Sequence, residues 1–214
     1  VENEKLKQLV NGTEHVLKFA KRNIKKRTLM VSSGAIYGGF GPKRRKPIAE
    51  TERIAPSFSN DDAGLAIGKR ALEVITKNYC ANGSVDASIA RCFGFLGPKL
   101  PTNLHYAAGN FVNNAISGTP ITISGDGTPI RSFMFLGDMV FWLMTILFDG
   151  ERGEDYNVGS SEAASILDLA EIISSVVGKN ESVKILNKSN KSVGNPTNYF
   201  YVPNLSKAEN HLNL

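Results

Sequence analysis

Ser33, Lys69 and Arg131 are the side chains whose type and neighbours suit work on a hydroxylated or anionic ligand. Ser33 closes the apolar run Thr28-Leu29-Met30-Val31 and precedes Gly34. That places its hydroxyl at the C-terminal end of a buried parallel strand, where open α/β sheets bind ligands and where it can hydrogen-bond a hydroxyl or keto group. On residue type alone, a turn serine is the commoner reading. Arg131 opens Arg131-Ser132-Phe133, and a guanidinium makes bidentate hydrogen bonds to phosphate; the alternative is an arginine at a strand edge. Lys69 falls in an apolar, helical stretch, where a lone lysine is by default exposed to solvent. Gly125-Asp126-Gly127 has the composition of a phosphate cradle, yet between two strand-like runs it predicts a hairpin turn.

The elements that must hold these residues alternate. Leu6, Leu9, Val10, Thr13, Val16, Leu17 and Ala20 recur at helical spacing and end on the basic pair Lys21-Arg22, which suits a helix C-terminus. The strand ending near Ser33 comes next, then a long polar loop to about Asn60. Asp61 and Asp62 are candidate N-caps for a second helix that sets Ile67, Ala71, Val74 and Ile75 on one face. Val85 to Ala90 predicts another strand. The order helix, strand, helix, strand points to βαβ crossovers, a parallel sheet and helices on both of its faces.

After Gly97-Pro98 the texture changes. A helix is expected near Gly109–Ser117, strands at Pro120–Ser124 and Arg131–Leu136, and a helix from about Asp138, which would cap it. A further helix over Ile166–Val177 would be introduced by Ser160, Ser161 and Glu162, and the Asn- and Ser-rich stretch to Asn198 predicts a surface loop. The predicted fold is α/β: an incomplete Rossmann-like parallel sheet plus a smaller mixed α/β lobe. Residues 1–98 are assigned to the sheet domain and 99–214 mainly to the lobe, with some segments returning to the sheet.

Bulk properties exclude several functions. A chain of 214 residues, 42% hydrophobic, buries a real core. The two cysteines, Cys80 and Cys92, make neither a disulfide framework nor a four-ligand zinc site, so reduced thiols and a cytoplasmic setting are expected. The longest apolar run, Met139–Phe148, is short of the roughly 20 residues that span a bilayer, so no membrane association is expected. The charged opening is not a signal peptide, and a chain beginning on Val1 is expected to start inside a longer protein. The net charge of +5 favours anionic partners. The basic runs Lys21–Arg27 and Lys43–Lys46 have no interleaved aromatics, so they read as solvated faces and nucleic-acid binding is not expected.

Val31-Ser-Ser-Gly-Ala-Ile-Tyr-Gly38 resembles the signature that carries the active-site serine or threonine of NAD-dependent nucleotide-sugar epimerases, dehydratases and decarboxylases, which are extended short-chain dehydrogenases/reductases. The resemblance continues in order through Asn11-Gly12-Thr13, Gly68-Lys69-Arg70-Ala71-Leu72-Glu73, Ala90-Arg91-Cys92-Phe93, Gly97-Pro98, Gly125–Phe133 and Tyr156–Ser160. It implies NAD as cofactor and a nucleoside diphosphate sugar as substrate, in a homodimer built on two helices per subunit. It also implies roles. Ser33 and Lys69 would be catalytic, with Ser33 on the sugar and Lys69 on the nicotinamide ribose. The backbone of Phe93 would face the nicotinamide, and Arg131 would hold the diphosphate. His105 and Asn110 would be base or ribose contacts, or else ordinary loop and helix residues.

The sequence departs from the family at three places. The tyrosine expected four residues before Lys69 is Leu65, and none of the six tyrosines has a lysine four residues on. In the family a phenolate takes the sugar hydroxyl proton while hydride passes to NAD, and leucine has no proton to exchange. No Gly-x-x-Gly-x-x-Gly turn is present to approach the pyrophosphate, so NAD binding by this chain alone is expected to be weak or absent. The Asp-Glu pair of the dehydratases is Gly34-Ala35, which disfavours dehydration and favours an epimerase. Decarboxylase and reductase readings remain, as does a catalytically inactive nucleotide-sugar-binding or scaffold protein.

Overall fold

The computed structural model describes residues 2–23, 26–38, 44–53, 63–100, 106–177, 182–186 and 199–214. Their elements are α1 (Glu2–Arg22), β1 (Thr28–Ser33), α2 (Ala63–Ala81), β2 (Ala87–Cys92), β3 (Phe95–Leu96), α3 (Ala107–Ser117), β4 (Ile121–Ile123), β5 (Ile130–Ser132), β6 (Met134–Phe135), α4 (Leu136–Asp149), β7 (Asp155–Val158), β8 (Ala163–Ser165), α5 (Ile166–Val177), β9 (Val183–Ile185), β10 (Phe200–Tyr201) and α6 (Ser206–Leu212).

The main sheet has three parallel strands in the order β1-β2-β7. Successive side chains of a strand point to opposite faces, and the two faces bury different partners. Met30, Ala87 and Ile89 point toward α1 and α2, where they pack with Leu17, Ala20, Leu72 and Cys80. Leu29, Ala90, Tyr156 and Val158 point the other way, against Met139, Trp142, Leu143 and Ile146 of α4 and Ala208 of α6. β2 is the central strand and is buried from Ala87 through Arg91. Both cysteines are free.

The remaining strands form small sheets, β10-β5-β8, β3-β6 and β4-β9. Around them α3 and α5 bury Phe111, Ala115, Ile121, Ile123, Leu169, Ala170 and Ile173 in a second core.

Several local expectations are corrected. The Gly125–Gly127 turn does not close a hairpin: β4 pairs with β9 and β5 with β8 and β10. Gly127 has φ +80° and its carbonyl accepts from Leu167 N at 3.0 Å, so this turn ties the chain to the start of α5. Ser160 and Ser161 do not introduce α5. β8 intervenes, and Ser165 and Asp168 exchange backbone–side-chain hydrogen bonds at 3.0 and 2.9 Å, a reciprocal cap. Asp138 is not the cap of α4, because Phe135 holds that position; Asp138 lies in the first turn, where its charge faces the helix dipole. Part of the loop expected to be polar belongs to the core: Ile36, Tyr37 and Ile48 are fully buried. Asp61, Asp62, His105 and the Asn- and Ser-rich stretch from 187 to 198 lie outside the described residues.

Candidate active site

The parallel register brings the main strands to a common end. Ser33 of β1 pairs with Cys92 of β2, and Cys92 with Val158 of β7. Immediately after β1 the chain turns through a short 3-10 segment, Gly34–Tyr37, capped by Ser33, whose Oγ accepts from Ala35 N at 3.1 Å. The turn-serine reading is therefore part of the answer, and the turn it caps lies against the phenol of Tyr201.

Tyr201 comes from β10 and is the site residue that sequence reasoning missed. Its ring stacks on Phe93 with centroids 4.6 Å apart, and the Arg131 guanidinium lies 5.9 Å from its centroid. Register explains the second contact, since Tyr201 pairs with Arg131 across β10 and β5. A Cβ on residue 34 would stand 2.3 Å from the Tyr201 hydroxyl, so glycine is required there. Burial pushes the Tyr201 phenol well above the ordinary tyrosine range. Nothing local in Tyr199-Phe200-Tyr201 sets this tyrosine apart; only pairing with β5 brings it to the turn at Gly34.

Arg131 is partly buried and donates to the carbonyl of Ile130 at 2.8 Å. Burial lowers its pKa and the Tyr201 phenol opposes that; arginine remains a cation in proteins. Among the described residues no carboxylate forms an ion pair with it.

Lys69 projects from α2 to the edge of the sheet, where Nζ donates to the carbonyl of Val31 at 2.7 Å. Burial lowers the pKa of Lys69, and the neighbouring Cys92 acts in the opposite direction. Burial raises the Cys92 thiol to about 11, with Lys69 pulling it back. Leu65 lies in the first turn of α2 and is 38% exposed. Tyr37 does not replace the missing tyrosine: it is fully buried, donates to Asn157 Oδ1 at 2.8 Å and accepts from Arg91 at 2.9 Å.

Phe93 is buried, and its backbone N–H is spent on Val158 O at 2.8 Å. Gly94 has a backbone explanation. A Cβ at this position would lie 2.6 Å from the Ser132 carbonyl, and the Gly94 carbonyl accepts from Met134 N at 3.0 Å. Asn110 lies on α3 and, with Phe111, Thr122, Ser124, Pro129 and Ile166, lines a cleft of about 340 Å³.

Beneath the strand ends runs a buried ionic cluster. Arg91 makes two hydrogen bonds to Glu73, at 2.7 and 3.0 Å, and a 2.7 Å ion pair to Asp155. Ser32 donates to Glu73 at 2.6 Å. Asn157 donates from its side chain to Ile48 O, and its backbone N–H goes to the Glu50 carboxylate, each at 2.8 Å. The cluster clamps α2, β2, β7 and the loop after Tyr37 together. Its signal in the sequence was opposite charges set within apolar patterns, Glu73 on a helix and Arg91 in a strand.

Residues 2–159 match the family model for the NAD dependent epimerase/dehydratase family. The chain is 30% identical over 184 residues to UDP-glucuronic acid decarboxylase 2 of Arabidopsis thaliana, covering 84% of this chain and 39% of that protein. It is 27% identical to UDP-glucuronic acid decarboxylase 1 of Xenopus tropicalis over 86% of this chain and 42% of that one. The chain thus spans less than half the length of these relatives. In fold it is similar to a Thermotoga maritima UDP-glucose 4-epimerase solved with UDP-glucose, with a TM-score of 0.85, 18% identity, and coverage of 99% of this chain and 65% of that one. A Bacillus anthracis dTDP-glucose 4,6-dehydratase in complex with NAD gives 0.82 at 21% identity, over 98% of this chain and 62% of that one. The ordered motifs, the strand-end serine and the matched length agree: this chain belongs to the NAD dependent epimerase/dehydratase family.

Proposed function

We propose that this chain forms the nucleotide-sugar side of an NAD-dependent enzyme that oxidises a sugar hydroxyl to a ketone and acts on the keto sugar. The observation that carries the reading is the placing of one tyrosine, Tyr201, against both the Gly34 turn that follows Ser33 and Arg131 where the strands end. An arginine that is partly buried and has no carboxylate partner among the described residues suits a diphosphate. The 340 Å³ cleft beside Asn110 suits the nucleoside, and Ser33 the reacting sugar oxygen.

NAD supplies the hydride acceptor when bound. The residues present fit its nicotinamide-ribose end: the Lys69 ammonium stands at the sheet edge beside the strand that carries Ser33. They offer no glycine-rich turn for the pyrophosphate, so weak NAD binding is expected of this chain alone. Leu65 also leaves the hydroxyl proton without its usual acceptor. This supports a second reading, a nucleotide-sugar-binding protein without turnover.

For the reaction itself, Gly34-Ala35 favours epimerisation over dehydration, and the decarboxylase relatives support decarboxylation of an oxidised uronic acid. Homodimerisation through α1 and α2 is part of the proposal, supported by Val16, Phe19 and Val74, which are 46%, 69% and 56% exposed on these helices.

Calorimetric titration with UDP, UDP-glucose, UDP-glucuronic acid and NAD tests the reading. Binding of the uridine compounds is expected, with NAD weak. Failure of all three uridine compounds to bind would overturn it.

A further inference from the structure

A second cleft, of about 680 Å³, opens on the side of α3 away from Asn110. Successive residues of a helix turn by about 100°, so Gly109, Val112 and Ile116 share one face of α3 and Asn110 points elsewhere. That face is one wall. The β3–β6 pair and the residue before it supply the other, through Leu96, Phe133 and Phe135. Leu96, Val112 and Phe133 pack inward on the second core, whereas Ile116 and Phe135 are 63% and 56% exposed at the mouth. The volume lies in the range of small-molecule sites. Lys99 is the only polar side chain among the described lining residues, and it is held there against a backbone preference. The Leu100 N–H donates to the Gly97 carbonyl at 3.3 Å, Pro98 takes the second position of that turn, and Lys99 takes the third with φ +65°. Such a turn favours glycine at its third position, because a side chain is strained at positive φ. Lys99 is exposed, and among the described residues no carboxylate forms an ion pair with it.

We propose that this cleft binds an apolar chain ending in one carboxylate, with the chain between α3 and the β3–β6 pair and the carboxylate on Lys99. The lining decides the class of ligand. A sugar or a nucleotide carries polar groups along its whole length, and apart from Lys99 these walls offer no side chain to hydrogen-bond them, so burying one here leaves its donors unpaired. An alkyl carboxylate has its polar atoms at one end, where the single cation stands. Its chain also takes the apolar surface of Ile116 and Phe135 out of water. The site is separate from the nucleotide-sugar cleft beside Asn110 and does not depend on that reading.

Calorimetric titration with hexanoate, octanoate and decanoate at low salt tests the proposal, with decanol as the uncharged reference. Affinity should rise about fourfold for each added methylene. Lys99→Gly should weaken decanoate about threefold to fivefold, the weight of an exposed ion pair, and leave decanol unchanged. The same variant should melt no lower than the wild type, because glycine suits the turn. Ile116→Asp, at an exposed position of the mouth, should weaken decanoate about tenfold or more by placing a charge against the chain, with circular dichroism unchanged. UDP should bind equally well with decanoate present. An affinity that does not grow with chain length overturns the proposal, as does a Lys99→Gly variant that keeps wild-type decanoate affinity or loses decanol equally. Competition between decanoate and UDP would place the carboxylate in the nucleotide cleft and overturn it too. Sedimentation with phosphatidylglycerol vesicles in place of decanoate binding would assign the cleft to a lipid surface, with the same result. If UDP itself fails to bind, the nucleotide-sugar reading falls and the alkyl series still decides this one.

Discussion

Arg131 and Arg91 are both arginines held away from bulk water, and they differ in what balances them. Arg91 has Glu73 and Asp155 within 2.7 Å, so its charge is satisfied inside the protein. Glu73→Gln would leave the guanidinium short of a counter-charge, and a broken buried pair costs about 3–5 kcal/mol. Urea denaturation should show a loss of that size. Arg131 has the Ile130 carbonyl and a tyrosine face. Arg131→Ala should cost little stability by the same denaturation measurement, while weakening UDP-sugar binding by about tenfold or more, the weight of charge-assisted hydrogen bonds to phosphate. Equal effects of Arg131→Ala on stability and binding would argue for a structural arginine.

At the scale of elements, α5 shows how a short signal is misplaced. A serine three residues before an acid just ahead of an apolar run marks a helix start. The sequence has Ser160 and Ser161 near Glu162, but the pair that closes the cap is Ser165 and Asp168. Ser165→Ala should cost about 1 kcal/mol by thermal unfolding. The hydrogen bonds from Ser165 hold the Asp168 carboxyl below its ordinary range. A depressed folded-state pKa gives stability that is present above the unfolded value and lost as pH falls through the folded one. Asp168→Asn should therefore flatten the acid limb of the stability–pH curve measured between about pH 5 and 2; an unchanged limb would show that the cap carries no charge-dependent share.

The major elements of the main sheet were legible because each carries its own period: helical in α1 and α2, a continuous apolar run in β1 and β2. The small sheets were not. β5 finds its neighbours in β8 and β10 rather than in the adjacent β4, and pairing between distant segments leaves no local pattern. Ser33, Lys69 and Arg131 could be named from type and context. Tyr201 could not, because its role depends on where β10 lands. The Gly94 backbone contact and the commitment of Tyr37 to the buried cluster are likewise facts of packing.

For the whole molecule, the two helices covering one face of the main sheet bury one side and leave Val16, Phe19 and Val74 outward. Apolar residues on the outer faces of paired helices suit a symmetric contact with a second copy. Phe19→Asp should shift the sedimentation profile from dimer to monomer with the fold preserved by circular dichroism; a wild-type chain that sediments as a monomer at micromolar concentration would remove this part of the proposal.

The pairing of β5 with β10 also sets an order in time. Ser33 and its strand leave the ribosome first, Arg131 later, and Tyr201 together with Pro203 of the Ile48–Pro203 bridge later still. Parallel pairing between such distant segments forms slowly, because the loop between them must close first. The three-stranded sheet can thus form on the nascent chain while its ligand site is still open. A chain halted before residue 200 would present a folded sheet with Arg131 lacking its stacking partner, so the site is completed only after the sheet that carries it.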